Sequence, residues 1–167
     1  SNHTSIRVQL HLCWTLCQTE RLPGTTMAHI LVIDDDPTFA AEIGSALSAK
    51  GHGVVTAFDH AQGVERASAR PPDAIVLDLM LPLYGDGYDL LRVIRGAMGM
   101  SEVPVVLLCS YESPEDVPWR FSRTEHISVA AVLEKPVDAS QVADAVLGAL
   151  ADVKQDDQVC HRGQQVQ

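Results

Sequence analysis

The chain has few positive charges and no apolar run long enough to cross a membrane. Its 167 residues include 12 Lys and Arg against 22 Asp and Glu, and the formal net charge at pH 7 is −10. Proteins that bind nucleic acid usually carry a basic face, so this balance argues against such a partner. A membrane span needs about 20 apolar residues in succession, whereas the apolar patch at 8–16 is interrupted by Gln9 and His11. We expect neither nucleic acid nor membrane as a partner.

Cysteine is also scarce, and none of the four cysteines forms a C-x-x-C pair with another. The spacing of His11, Cys13 and Cys17 fits no standard zinc pattern. Cys109 lies within an apolar run and is interpreted as a small buried residue with a free thiol. These features favour a reducing compartment, so we expect a cytoplasmic protein.

The composition is that of an ordinary globular protein, with 46% hydrophobic and 20% charged residues. A chain of this length predicts one domain. We assign that domain to residues 27–150, beginning at Met27. Residues 1–26 are interpreted as an N-terminal extension, a tag remnant or a misassigned start, and 151–167 as a polar C-terminal tail that leaves no room for a second domain.

Within the domain, short apolar runs alternate with helix-like segments. Strands are predicted over 29–34, 53–58, 73–78, 103–109 and 129–134. Helices are predicted over 37–50, 60–70, 88–97, 114–125 and 138–152. Asp36 is the expected N-cap of the first helix, Pro37 its first residue and Gly51 its C-cap. The alternation predicts a doubly wound α/β fold, with a parallel sheet covered by helices on both faces.

Three of the predicted strands end in charged residues. These residues are Asp34, Asp35 and Asp36 at the first strand, Asp78 at the third, and Glu134 and Lys135 at the fifth. In open α/β sheets, ligands bind outside the carboxyl ends of the strands. Clustered carboxylates with one lysine suit a hard divalent cation and a phosphoryl group.

Three motifs in order link the sequence to a known family: ILVIDDDP at 30–37, DAIVLDLMLP at 73–82 and LEKP at 133–136. Through them, residues 27–150 resemble the receiver domain of two-component response regulators. The resemblance implies a flavodoxin-like, five-stranded sheet in the order 2-1-3-4-5. It also implies a signalling module that is no enzyme beyond Mg²⁺-dependent self-phosphorylation and autodephosphorylation.

The same resemblance implies a role for each motif residue. Asp78 matches the aspartate that accepts phosphate from a histidine kinase or a histidine phosphotransfer protein. Asp35 matches a direct Mg²⁺ ligand, Asp34 a ligand acting mainly through water, and the backbone carbonyl of Met80 a further ligand beside Asp78. Lys135 matches the lysine that pairs with the phosphoryl oxygens.

The sequence departs from the family pattern near the expected switch. Cys109 stands where the family usually has Thr or Ser, and Ser110 could replace that hydroxyl only if the strand shifted by one residue. Val132 stands where a Tyr or Phe is usual. The segment from Cys109 to Lys135 is a few residues longer than usual, and the loop after Met80 one residue longer. We therefore expect weak coupling between phosphorylation and shape change.

Two alternatives remain open at this point. Cys109 and Val132 favour a receiver-like interaction module that works without phosphorylation. The run from Asp34 to Thr38 also fits the D-x-D-x-T motif of haloacid-dehalogenase-like phosphatases, with Asp34 as nucleophile and Asp36 as general acid/base. That family needs a further acidic pair after the lysine, and only one predicted helix follows Lys135. The leading hypothesis is a phosphoacceptor that acts through partner binding, either alone or within a larger protein.

Overall fold

A computed structural model describes residues 27–81, 87–96, 98–110 and 129–163, with side chains through residue 153. This part of the chain forms five strands: β1 His29–Ile33, β2 Gly53–Ala57, β3 Ala74–Asp78, β4 Val105–Cys109 and β5 Ala131–Glu134. It also forms four helices: α1 Pro37–Ala49, α2 His60–Ala69, α3 Gly87–Arg95 and α4 Ala139–Gly163. The predicted strands are confirmed to within two residues at each end. The predicted extension at 1–26 and the predicted helix at 114–125 lie outside the described residues.

The strands form one parallel sheet in the order β2-β1-β3-β4-β5, which confirms the predicted fold. The chain leaves β1 for β2 on one side and then returns to β3 on the other. The strand order therefore reverses between β1 and β3, and the crevice at their carboxyl ends is the expected ligand position in such a sheet.

Helices cover both faces of the sheet. On one face α1 and α4 pack against alternate side chains of β1, β3 and β4, including Val32, Val76 and Val106. On the other face α2 and α3 pack against the intervening side chains, including Ile33 and Leu77. Because both faces of these three strands are buried, their sequences are continuous apolar runs rather than alternating ones.

The ends of α1 follow from local chemistry, and its predicted start is confirmed. The Asp36 side chain accepts hydrogen bonds from the backbone N–H groups of Thr38 and Phe39 at 2.9 and 3.2 Å, and Pro37 begins the helix. At the other end the C-cap is Lys50, one residue before the predicted Gly51, and Gly51 follows with a φ of 86°, in the left-handed region that favours glycine. The N-cap fixes the turn that connects β1 to α1, and Asp34 lies in that turn.

The last helix is longer than predicted. The sequence prediction ended it at 152 and assigned 151–167 to a polar tail, whereas α4 continues to Gly163. The prediction relied on the loss of apolar periodicity, but residues 151–162 contain neither proline nor glycine, the usual stop signals. No helix in the described part of the chain combines the length and the apolar character of a membrane span.

Candidate functional site

Three carboxylates meet at the carboxyl ends of β1 and β3. Asp34 directly follows β1 and Asp78 is the last residue of β3, and both are almost fully buried, with exposures of 0% and 2%. Asp35 is exposed beside them. One carboxylate oxygen from each residue lies within 4.8 Å of the others. The buried strands thus place this cluster, which is the group of acids predicted from the sequence.

Lys135 lies between the two buried carboxylates. Its Nζ donates to Asp34 Oδ2 at 2.8 Å and to Asp78 Oδ2 at 2.6 Å. The Lys135 backbone N–H donates to the Cys109 carbonyl at 2.8 Å, which continues the pairing of β5 with β4 and aims the side chain across the crevice. The structure therefore brings the predicted lysine to the predicted acids.

Backbone N–H groups hold the other carboxylate oxygens. The Asp36 N–H donates to Asp34 Oδ1 at 2.9 Å, and the Met80 N–H donates to Asp78 Oδ1 at 2.8 Å. Each aspartate thus accepts a hydrogen bond from the backbone two residues further on, as Asx-turns do. Both buried carboxylates are consequently fixed in orientation, with one oxygen on the backbone and the other on Lys135.

Burial and the ion pairs shift the pKa values within the cluster. Burial raises the pKa of Asp34, although hydrogen bonds from Lys135 and the Asp36 N–H act in the opposite direction. Burial alone lowers the pKa of Lys135, but its hydrogen bonds to Asp34 and Asp78 outweigh burial, and the pKa lies above its ordinary value. Lys135 therefore keeps its positive charge at neutral pH. A further cation close to Asp34 would favour the ionised form of its carboxyl group.

The donor set fits a hard divalent cation. When all three acids are ionised, three negative charges face the single positive charge of Lys135, which leaves a net charge of −2. Carboxylate oxygens are the ligands that Mg²⁺ and Ca²⁺ prefer, and a divalent ion would relieve the repulsion between the acids. Asp34, Asp35 and Asp78 are the described side chains that could hold it.

Phe39 belongs to this site and was missed by the sequence analysis. The Lys135 Nζ lies 5.2 Å from the centroid of the Phe39 ring, within the range of a cation–π contact. The ring comes from the first turn of α1, two residues after Pro37. Its position just after the acidic turn was the available signal, but no motif marks it.

The sequence also singled out three residues at β4 and β5, namely Cys109, Ser110 and Val132. Cys109 ends β4 and is buried, and its Sγ lies 3.5 Å from the Leu133 carbonyl oxygen, which accepts a weak hydrogen bond. Ser110 follows β4 and is half-buried. Val132 is 38% exposed on β5. Cys109 therefore occupies the strand end predicted for it, with its thiol directed at β5.

The comparison with protein families agrees with this geometry. The model of the response regulator receiver domain matches residues 30–147, which include the whole cluster and Lys135. The chain belongs to the response regulator receiver domain family. The predicted resemblance is thereby confirmed, and it extends over most of the chain.

Individual relatives support the same assignment. The chain is 27% identical to protein PilH of Pseudomonas aeruginosa over 125 residues, covering 75% of this chain and 99% of PilH. It is 38% identical to the transcriptional regulatory protein PrrA of Mycobacterium tuberculosis over 93 residues, covering 56% of this chain and 39% of PrrA. The chain thus spans well under half the length of several curated relatives that it matches.

Solved structures show the same fold. The signal receiver domain of a signal transduction histidine kinase from Syntrophus aciditrophicus superposes with a TM-score of 0.65 at 28% identity. The superposition covers 76% of this chain and 92% of that one. A receiver domain with this fold therefore occurs in a signal transduction histidine kinase.

Proposed function

We propose that this chain is a phosphoacceptor signalling module in which Asp78 receives a phosphoryl group from a histidine kinase or a histidine phosphotransfer protein. The observation that carries the proposal is the position of Lys135, whose Nζ bridges Asp34 and Asp78 at 2.8 and 2.6 Å. Family membership supports it. The phosphorylated chain would act through binding of a protein partner.

In the proposed reaction a carboxylate oxygen of Asp78 attacks the phosphorus of a phosphohistidine. The P–O bond to Asp78 forms as the P–N bond breaks, and the imidazole leaves as a neutral ring that keeps the proton on its other nitrogen. The Lys135 ammonium stabilises negative charge on the transferred oxygens, which is the main form of catalysis in phosphoryl transfer. The hydrogen bond from the Met80 N–H to Asp78 Oδ1 keeps the acceptor carboxylate oriented.

We assign Mg²⁺ to the carboxylate cluster. Asp35 and Asp78 would bind it directly, Asp34 mainly through water, and the Met80 carbonyl would complete the protein ligands. Bound there, the ion would supply positive charge to the phosphoryl oxygens. The net negative charge of the cluster and its all-oxygen donors support this assignment.

A second candidate is a receiver-like interaction module that works without phosphorylation. The Cys109 thiol favours it, because a thiol is a poor donor to a phosphoryl group and this one already lies against the Leu133 carbonyl. The buried and paired acids at the other strand ends oppose it. For the phosphatase alternative, Asp36 would have to act as an acid/base, yet its side chain caps α1.

The test is phosphorylation with a small-molecule phosphodonor and Mg²⁺, read as intact mass. Wild type should gain one phosphoryl group, Asp78→Asn should gain none, and Asp144→Asn, which alters an exposed acid on α4, should label like wild type. Absence of labelling in wild type would favour the interaction module. Loss of labelling in Asp34→Asn with native labelling in Asp78→Asn would favour the phosphatase.

A further inference from the structure

The first residue of α3 lies against the backbone that carries the proposed acceptor. A Cβ added to Gly87 would lie 2.2 Å from the Asp78 carbonyl oxygen and 2.7 Å from the Leu79 Cα. The Gly87 N–H also donates to the Leu79 carbonyl at 3.2 Å. Because the φ of Gly87 is not in the left-handed region, this glycine is required for space rather than for backbone conformation.

We propose that Gly87 is a positioning residue for the metal site, because its missing side chain lets α3 fix the backbone at Leu79 and Met80. The inference rests on the proposed function, which places the Met80 carbonyl and Asp78 among the Mg²⁺ ligands. The three atoms nearest to a Cβ at Gly87 all belong to the backbone of Asp78 and Leu79. The effect of Gly87 would pass through the backbone that it packs against.

Both sides of this contact are held in place. The Leu79 N–H donates to the Leu108 carbonyl at 2.9 Å, which ties the end of β3 to β4. On the opposite side α3 is anchored by Leu90, Leu91 and Ile94, each with no exposed surface. A side chain at Gly87 therefore cannot be relieved by sliding the strand or the helix freely, since close-packed interiors transmit strain.

The displacement would consequently fall on the connection from Leu79 to Met80. The Met80 N–H orients Asp78 through its 2.8 Å hydrogen bond to Oδ1, so a shift there turns the acceptor carboxylate. The same shift moves the Met80 carbonyl. Both proposed ligands would leave their positions together, while the Lys135 bridge on Asp78 Oδ2 would oppose the turn.

The test compares Mg²⁺ affinity of the full chain by calorimetric titration at low temperature in Gly87→Ala and two other glycine variants. Gly63→Ala is the control for overpacking, because its Cβ would meet only side-chain atoms, Leu90 Cδ2 at 2.9 Å and Ile33 Cδ1 at 3.1 Å. Gly148→Ala is the control for the substitution itself, since nothing lies within 4 Å of its Cβ. Changes to the support of metal ligands typically weaken binding about 10- to 100-fold, and we expect a loss of that size in Gly87→Ala alone.

Labelling by phosphodonor supplies a second readout. In Gly87→Ala the Mg²⁺ concentration for half-maximal labelling should rise in step with the loss of affinity. Gly63→Ala should melt at a lower temperature with its Mg²⁺ dependence unchanged. Native affinity in Gly87→Ala, or an equal loss in Gly63→Ala, would overturn the inference. So would a Gly87→Ala chain that fails to fold while Gly63→Ala folds, because the glycine would then serve the fold and not the site.

The outcome for the proposed function is separate. If wild type binds Mg²⁺ but is not labelled, the phosphoacceptor proposal is wrong. The comparison of Mg²⁺ affinity between the glycine variants would still decide the role of Gly87. Wild type that binds no Mg²⁺ would end both.

Discussion

The two halves of the sheet's carboxyl edge differ in how firmly the fold holds their functional groups. At β1 and β3 every strand residue is buried, and Asp34 and Asp78 are fixed by backbone N–H groups and by Lys135. At β5 half-buried and exposed positions alternate, and Val132 is 38% exposed. At the end of β4, the Cys109 Sγ lies 3.5 Å from the Leu133 carbonyl oxygen, which accepts a weak hydrogen bond from it.

The difference separates two tasks that the proposed function combines. Accepting a phosphoryl group requires charges held in place, and the β1–β3 half has them. Converting that event into a change of shape requires a group whose contacts differ between two states, because a modification shifts an equilibrium only by stabilising one state more. At β4 and β5, the resemblance to the family predicts that a thiol and a valine stand in place of the usual hydroxyl and aromatic ring.

The largest expected effect comes from removing Lys135, which follows β5 and pairs with the two buried acids at β1 and β3. Lys135→Met leaves Asp34 and Asp78 buried without a counterion, and breaking a buried pair in this way typically costs 3–5 kcal/mol. We expect a loss of about 3 kcal/mol of unfolding free energy in metal-free buffer, at the low end of that range, because Lys135 is 21% exposed. Urea unfolding measures it, and added Mg²⁺ should restore part of the loss.

The matched control is a second lysine ion pair on the same fold. Lys50 bridges Asp144 at 3.0 Å between α1 and α4, but both side chains are exposed. Exposed pairs contribute less than about 1 kcal/mol, so Lys50→Met should unfold close to wild type. Equal losses in the two variants would show that the β1–β3 half is not held by its buried charges.

An intermediate effect is expected from metal binding. At a Mg²⁺ concentration ten times the dissociation constant, mass action stabilises the folded chain by about 1.4 kcal/mol, which raises the melting temperature by a few degrees. Asp35→Ala should remove most of that rise by deleting a proposed ligand. Asp144→Ala, which removes an exposed acid far from the cluster, should keep it. A thermal shift that survives in Asp35→Ala would place the ion elsewhere.

The same division explains what the sequence could predict. Asp34, Asp78 and Lys135 end apolar runs, and a parallel sheet brings such ends to one edge whatever the loops do, so their meeting follows from periodicity and topology. Phe39 was missed because its contact with Lys135 depends on the helix's rotation and on a side-chain rotamer, which no spacing encodes. The length of α4 was missed because apolar periodicity fades before the helix ends. The close approach of Gly87 to the Asp78 backbone could not be predicted either, because a glycine near the start of a helix can serve a turn, a cap or a tight contact.

The smallest expected effect concerns the β4–β5 half. Cys109→Thr supplies a hydroxyl at the end of β4, and a hydroxyl is a stronger hydrogen-bond donor than a thiol. On the proposed function this donor would interact with the phosphoryl group on Asp78 in one state and not in the other. We therefore expect little change in the rate of labelling, because Mg²⁺ and Lys135 would supply most of the charge stabilisation of the phosphoryl group. The difference in hydrogen exchange between the phosphorylated and unphosphorylated chain should grow across residues 110–135.

Cys109→Ala is the matched control, because it removes the thiol without adding a donor. It should leave the exchange difference as small as in wild type. If wild type already shows a large difference and Cys109→Thr shows the same one, the chain switches without a hydroxyl at this strand end. The two halves would then differ in packing alone. The change of shape on phosphorylation would have to depend on contacts other than those of Cys109 and Val132.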